Sequence, residues 1–514
     1  MKSWGGGALY AAMIGATLAA GCRLDYSNLF VSSGDFLSSG RTASFFHALQ
    51  VDPRSEDSAG PQFAASGDLD NDGLPDLVSG WSESQPIQFH LQRRDPDGSL
   101  RFETTTLAGA IPIATMADLH VADFDQDGWA DIAVLVKIRN LPDVSGDGPD
   151  PLDGAILIYF NPGEEGDIQD PLTWEAVLLG QSELAGVAEG DGTSPETGGY
   201  TDMEVGDVDA DGDVDIVACL NWAIAQDDSP TATPDEESRG NGRIEVFFNP
   251  DANGASRARR GGEWNRFKSP TSNLVSLEAT VSLVRDVALA DVDGDNDLDV
   301  VVTRPDADTM NVRWLRNPVI RRDGDPEEWQ SGAIGHVFTG ADAVETGDLD
   351  GDGRLDVLVQ SRAGRVVQWF RGPQTPLVSA IRNVPWQVYT LAEFTERTPE
   401  TMAVADFNGD GQLEVLLAAQ GGIAWFDAQA AESVYDQWVE VLIIDDRPGE
   451  GNPDTPTPTD PNVSPEEVAG TTSIRALNVV DLDQDGQLDF IATLDRAGLS
   501  GLTNDALVWF ENTR

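Results

Sequence analysis

The chain has 514 residues, of which 40% are apolar and 24% charged, enough for a large core and unlike a disordered chain. Its 89 Asp and Glu against 32 Lys and Arg leave a formal charge of −57. That balance argues against a nucleic-acid partner and against direct adsorption to anionic lipid, both of which need a basic surface. Two cysteines, Cys22 and Cys219, make neither a disulfide framework nor a zinc site.

Lysine stands only at Lys2, Lys137 and Lys268, so nearly all positive charge is arginine. Residues 1–21 read as an export signal: Lys2 supplies a short positive region, and a small-residue apolar run follows from Ala8 to Ala20. That run is too short and glycine-rich for a good membrane span. It ends Leu18-Ala19-Ala20-Gly21-Cys22, which resembles the lipobox of bacterial lipoproteins, except that Ala19 stands where that family usually has leucine. The resemblance implies lipidation at Cys22, and Arg23 in place of an aspartate points to the outer membrane or cell surface. The alternative is ordinary cleavage after Gly21. Residues 22–42, rich in Ser and Gly, read as a flexible tether.

From there one nine-residue motif recurs seven times, its starts 55, 84, 84, 57, 58 and 75 residues apart. Its pattern is Asp-x-Asp/Asn-x-Asp-Gly-x-x-Asp/Glu. The side chains at positions 1, 3, 5 and 9 are Asp68, Asp70, Asp72 and Asp76; Asp123, Asp125, Asp127 and Asp131; and Asp207, Asp209, Asp211 and Asp215. Next come Asp291, Asp293, Asp295 and Asp299, then Asp348, Asp350, Asp352 and Asp356. The last two sets are Asp406, Asn408, Asp410 and Glu414, and Asp481, Asp483, Asp485 and Asp489. Apolar, β-branched runs such as Thr115–Ala122 and Asp131–Val136 flank each copy and predict strands. An aromatic run that often ends in Asn follows each copy, as in Ile156–Asn161 and Leu507–Asn512. A third motif, an aromatic leading a short strand, stands once before the first loop, near Phe45, and never after the last.

That offset predicts ring closure. Seven four-stranded sets are complete only if the N-terminal strand, about Phe45–Val51, joins the last three strands. Residues 43–514 therefore predict an all-β, seven-bladed β-propeller of antiparallel blades. Separate two-repeat domains would leave the first strand without a partner.

The loop chemistry suits calcium, a hard cation that takes six to eight oxygen ligands in a forgiving geometry. Of the 28 side-chain ligand positions, 27 are acidic, and their mutual repulsion strains an empty loop. Glycine at position 6 permits positive φ; Asn296 replaces it in the fourth copy, and Asn tolerates that region too. Asn408 and Glu414 make the sixth loop the expected weakest site. The loop resembles the start of an EF-hand but carries its last acid at position 9 and sits between strands. Motif, spacing and copy number resemble the FG-GAP/VCBS repeat family, which includes the propeller head of integrin α subunits and many secreted bacterial proteins. The resemblance implies up to seven structural calcium ions bracing the blades, with partner binding elsewhere.

Long insertions at 141–154, 183–200, 226–242 and 446–470 map to the face opposite the loops, where Tyr200 and Trp222 are candidate ligand contacts. The Arg257–Arg260 run reads as a solvated turn on the calcium face, and Cys219 as a buried apolar residue. His120 falls on an innermost strand. No nucleophile elbow, phosphate loop or dinucleotide fingerprint occurs, so no catalytic residue is assigned. The sequence thus predicts an exported, lipid-anchored, calcium-loaded binding or adhesion module for a glycan or protein ligand. The alternatives are a polysaccharide lyase or hydrolase with its site at the channel mouth, or a structural subunit of an envelope complex.

Overall fold

A computed structural model describes residues 46–53, 61–81, 87–107, 113–138, 152–181, 198–223, 240–250, 257–268, 283–305, 310–317, 329–373, 386–395, 397–420, 422–428, 438–445, 472–496 and 506–513. They form seven four-stranded antiparallel sheets, the blades of a β-propeller. Blade 1 is β2 (Pro61–Gly67), β3 (Asp76–Trp81), β4 (Gln88–Arg94) and β5 (Leu100–Thr106). Blade 2 is β6 (Ile113–Ala122), β7 (Asp131–Ile138), β8 (Leu152–Phe160) and β9 (Glu175–Gln181). Blade 3 is β10 (Gly198–Gly206), β11 (Asp215–Ala223), β12 (Gly240–Phe248) and β13 (Asn265–Lys268). Blade 4 is β14 (Val287–Ala290), β15 (Asp299–Thr303), β16 (Val312–Arg316) and β17 (Gln330–Gly335). Blade 5 is β18 (Ala343–Gly347), β19 (Asp356–Ser361), β20 (Val366–Arg371) and β21 (Gln387–Glu393). Blade 6 is β22 (Pro399–Ala405), β23 (Glu414–Ala419), β24 (Gly422–Ala428) and β25 (Trp438–Asp445). Blade 7 joins β26 (Thr472–Val480), β27 (Asp489–Arg496) and β28 (Ala506–Asn512) to the N-terminal β1 (Phe46–Pro53).

The expected closure is present. β1 pairs antiparallel with β28 from Phe46 opposite Asn512 to Pro53 opposite Ala506, covering an edge that would otherwise be open. Phe46 anchors it, packing edge-on against Phe490 of its own blade and, across the junction with blade 6, against Phe407 and Trp425.

Second strands such as β3, β15, β19 and β23 are buried at every residue, which is why they read as near-continuous apolar runs. Each core cluster lies between two adjacent blades. Phe89, Val134 and Trp174 join blades 1 and 2, for example, and Leu77, Ile491 and Trp509 join blades 1 and 7. Cys219 is fully buried in the cluster between blades 3 and 4, as expected. The first strands of successive blades pack on one another around the axis and end at the acidic loops. No helix among the described residues is long and apolar enough to cross a membrane.

Candidate cation loops and the axial channel

The seven loops share one conformation. The position-1 carboxylate is held by the loop's own backbone: one oxygen accepts from the amide of position 5 and the other from that of position 6, as Asp68 does from Asp72 and Gly73. The position-5 carboxylate accepts from the amide of position 7, as Asp211 does from Asp213. Position 6 has positive φ throughout, including Asn296 at 69°. Position 4 does too, which sequence reasoning missed, because Gln126 and Ala210 occupy it at 54° and 58° without a glycine signal.

Position 9 is a buried clasp. Asp76, Asp131, Asp299, Asp356 and Asp489 are 0% exposed. One oxygen accepts from the amide of position 2, as from Leu69 to Asp76 at 2.9 Å. The other accepts from the amide that ends the third strand, as from Asn161 to Asp131 at 2.8 Å. In the sixth loop the longer Glu414 makes the first contact to Phe407, but its Oε1 takes the Asn408 amide at 2.6 Å. Burial pushes Asp76, Asp356 and Asp489 up to about 7 and Asp215, Asp299 and Glu414 up to about 8. Without a cation these groups sit close to protonation, and a nearby positive charge would hold them ionised.

Positions 1, 3 and 9, or 1, 3 and 5, bring carboxylate oxygens within 4.8 Å of one another in the first five loops: Asp68/Asp70/Asp76, Asp123/Asp125/Asp127, Asp207/Asp209/Asp215, Asp291/Asp293/Asp295 and Asp348/Asp350/Asp356. At position 3, Asp70 Oδ1, Asp209 Oδ1 and Asp293 Oδ1 are buried without a hydrogen-bond donor. An all-oxygen donor set with orphaned buried carboxylate oxygens fits a hard divalent cation.

Arginines divide the loops into two kinds. Arg93 reaches Asp70 at 2.6 Å, Arg316 reaches Asp293 at 2.5 Å, and Arg371 reaches Asp350 at 2.5 Å, each also touching position 5. In the second loop the arginine comes from blade 3. Arg259 pairs with Asp125 at 2.5 Å and Asp127 at 3.3 Å and lies over the Phe160 ring. The Arg257–Arg260 run is therefore not a merely solvated turn, a role hidden because Arg259 lies 134 residues from Asp125. Among the described residues no arginine pairs with a position-3 or position-5 carboxylate of the third, sixth or seventh loop, although Arg94 donates to the Asp483 carbonyl at 2.8 Å. In the third, the neighbouring Asp211 adds to burial in raising Asp209 to about 6.

The recurring aromatic-Asn motif stitches blades together. The Asn161 side chain donates to the Leu69 carbonyl in the preceding blade's loop at 2.8 Å and to Ala130 in its own. Asn249, Asn317 and Asn512 repeat this toward Phe124, Val208 and Phe407. Gln92 does so toward Leu482, across the ring closure, at 3.0 Å.

At the axis lies a cavity of about 640 Å³ lined by the first strands of all seven blades. Acids on successive strands link them: Met203 N donates to Asp118, Val287 N to Asp202 and Val344 N to Asp286. β-bulges beside Asp118 and Asp202 turn these residues inward. Asp202 and Asp286 also hydrogen-bond to each other; burial and the Asp286 charge raise Asp202 well above the ordinary carboxylate range. His120 faces this channel, its Nε2 3.0 Å from the Met203 carbonyl and 3.3 Å from Asp118. The acids outweigh burial and bring it to about 9.

Tyr200, expected as a ligand contact, is instead buried: it is 2% exposed, and its hydroxyl donates to Glu245 at 2.6 Å. The bulge after Tyr200 turns this ring into the core between blades 2 and 3. Trp222 pairs with Gly198 and Asn241 on β11, its side chain outside the described residues. Cys22, the signal and tether segments, and most of the long insertions also lie outside them.

Residues 68–134 and 291–359 match the FG-GAP-like repeat family. The first stretch carries loops one and two, the second loops four and five, so this is a seven-bladed propeller containing FG-GAP-like repeats. No curated protein matches the chain. Among solved structures it is similar to the rhamnogalacturonan lyase YesW, with 13% identity, a TM-score of 0.42, and coverage of 92% of this chain and 76% of that one. It is also similar to a Bacillus licheniformis rhamnogalacturonan lyase PL11, with 14% identity, a TM-score of 0.41, and coverage of 91% and 76%. Likenesses this distant carry no argument about activity.

Proposed function

We propose that the chain is an exported, calcium-braced propeller serving as a binding module for a glycan or protein ligand, held to the bacterial envelope by a lipid on Cys22. The observation that supports it most is the sevenfold repetition of one oxygen-lined loop, each clasped to its blade by a buried carboxylate. Calcium suits these loops better than magnesium, which demands a strict octahedron with retained water. Its role is to relieve repulsion among the loop acids and stiffen the ring. The charge of −57 speaks against nucleic acid as the partner.

A second reading, a polysaccharide-acting enzyme, draws support from the channel, where His120 and the hydrogen-bonded pair Asp202 and Asp286 line one cavity. One experiment separates the two: a glycan and envelope-protein binding screen on the calcium-loaded and chelated protein, with product detection on every hit. Calcium-dependent binding that leaves the ligand intact supports the module. A cleaved ligand makes the enzyme reading primary. Palmitate labelling that survives in the Cys22→Ser variant overturns the anchor.

A further inference from the structure

We infer that the axial channel binds an oxyanion carried on a polyhydroxylated body, a sugar acid being the simplest such compound. Arg285, Arg362 and Arg475 take the anion at the mouth, and the carboxyl groups of Asp202, Asp286 and Glu345 meet hydroxyls deeper in. The inference rests on the binding-module reading and assigns its ligand class and its face.

Three arginines gather at one end of the cavity in a protein with 89 acids and 32 bases. Arg285 stands two residues before β14, Arg362 directly follows β19, and Arg475 is near the start of β26. First strands run toward the acidic loops and second strands run away from them. All three arginines therefore lie at the mouth opposite the loops, and all three are exposed there. Arg285 and Arg362 form no ion pair with described residues, and Arg362 donates to the Glu400 carbonyl at 3.0 Å. Burial and the charge of Arg285 push Arg362 below its ordinary range; Asp342 and Glu400, which also face it, pull the other way, and Arg475 adds a smaller part. Three guanidiniums from three blades repel one another, and a bound oxyanion removes that repulsion while accepting their fork of N–H donors.

Below this rim the wall changes character. Asp202 and Asp286 each use one oxygen on the next blade's amide and present the rest of the carboxyl group to the pair and the cavity. Glu345 lines the cavity with no hydrogen-bond partner among the described residues. Burial raises it to about 8, so near neutral pH it is mostly uncharged, a hydroxyl donor and acceptor that does not repel an anion. At about 640 Å³ the cavity falls within the size range of small-molecule sites. An anion-binding rim over a bed of carboxyl groups matches a ligand with an acidic group at one end and hydroxyls along its body.

The test is calorimetric titration of the calcium-loaded full chain with three probes: a glucuronate-containing tetrasaccharide, its carboxyl-reduced form, and a sulfated galactan oligosaccharide without uronate. We expect the glucuronate probe to bind. The carboxyl-reduced form should bind at least about tenfold more weakly, the effect of losing a charge-assisted hydrogen bond. Stronger binding of the sulfated probe than of the glucuronate probe would identify sulfate as the source of the oxyanion. The Arg285→Gln/Arg475→Gln double variant should lose binding to a similar degree with its melting temperature unchanged, and Arg475→Lys should recover part of it. Equal binding by the carboxyl-reduced form, unchanged binding by the double variant, or no heat from any probe overturns the channel assignment. Unchanged binding by the double variant leaves the module reading standing with its ligand on another face. That broader reading fails separately, if the wider screen yields no ligand.

Discussion

The side-chain amide of Asn161 donates at once to the carbonyl of Leu69, in the loop of blade 1, and to that of Ala130, in the loop of its own blade, at 2.8 and 2.9 Å. One asparagine therefore satisfies buried carbonyls on both sides of a blade junction while its backbone amide holds Asp131. Asn161→Ala should cost about 1–3 kcal/mol, the penalty for leaving buried acceptors without a donor. Denaturant unfolding of this variant beside Asn317→Ala checks it. Blades 5 and 6 have Gly372 and Asp427 at this place, neither of which carries a side-chain amide.

Closing the ring depends on Phe46, whose ring lies 4.9 Å from that of Phe490 and 6.1 Å from that of Phe407. Phe46→Ala should destabilise by about 3–5 kcal/mol, as large aromatic truncations in cores do. It should also raise proteolysis within β28, whose edge β1 covers. Unfolding curves and limited proteolysis read both.

The arginine-paired loops and the open third loop should differ in calcium affinity. Removing a resident cation from the carboxylates that calcium needs should tighten binding. We expect Arg316→Gln to strengthen its loop by about tenfold, or ~1.4 kcal/mol, and Asp209→Asn to remove a site tighter than the arginine-paired ones. Calcium titration by calorimetry distinguishes them. A weaker site after Arg316→Gln would mean that the arginine supports the ion instead of competing with it.

Stability should fall as pH rises, even with calcium saturating the loops. Glu345 is raised from 4.5 to about 8, so between those values the native state keeps a proton that the unfolded chain releases. His120 is raised from 6.5 to about 9, so its contribution is full below 6.5 and lost as pH rises through about 9. Both shifts have the same sign. Melting temperature should be higher near pH 6 than near pH 9, and Glu345→Gln should flatten the part between 5 and 8. A melting temperature that climbs with pH would contradict this.

Much of this architecture was legible because the loop motif is local. Seven copies fixed the blade count, and the unpaired motif near Phe45 announced ring closure. The flanking β-branched runs placed β6 and β7 within two residues of their observed ends. What stayed hidden joins distant residues. Arg259 meets Asp125 across a blade junction, and the terminal Asn of the third strand meets a carbonyl in the preceding blade. Tyr200 looked like a loop residue because turn-forming residues precede it, yet it falls on β10 and packs against Phe247. The channel group was beyond reach because it is assembled from single residues on separate first strands, and among so many acids no pair stands out.

The measurement closest to the central claim is thermal unfolding of the calcium-loaded protein before and after chelation, with protease sensitivity read on the same samples. The account predicts a lower melting temperature and faster cleavage on chelation, both reversed by calcium. Each independent site should contribute about 2.7 kcal/mol when free calcium is 100 times its Kd. Unchanged melting and unchanged cleavage would contradict it, and the acidic loops would then be turns that hold no structural ion.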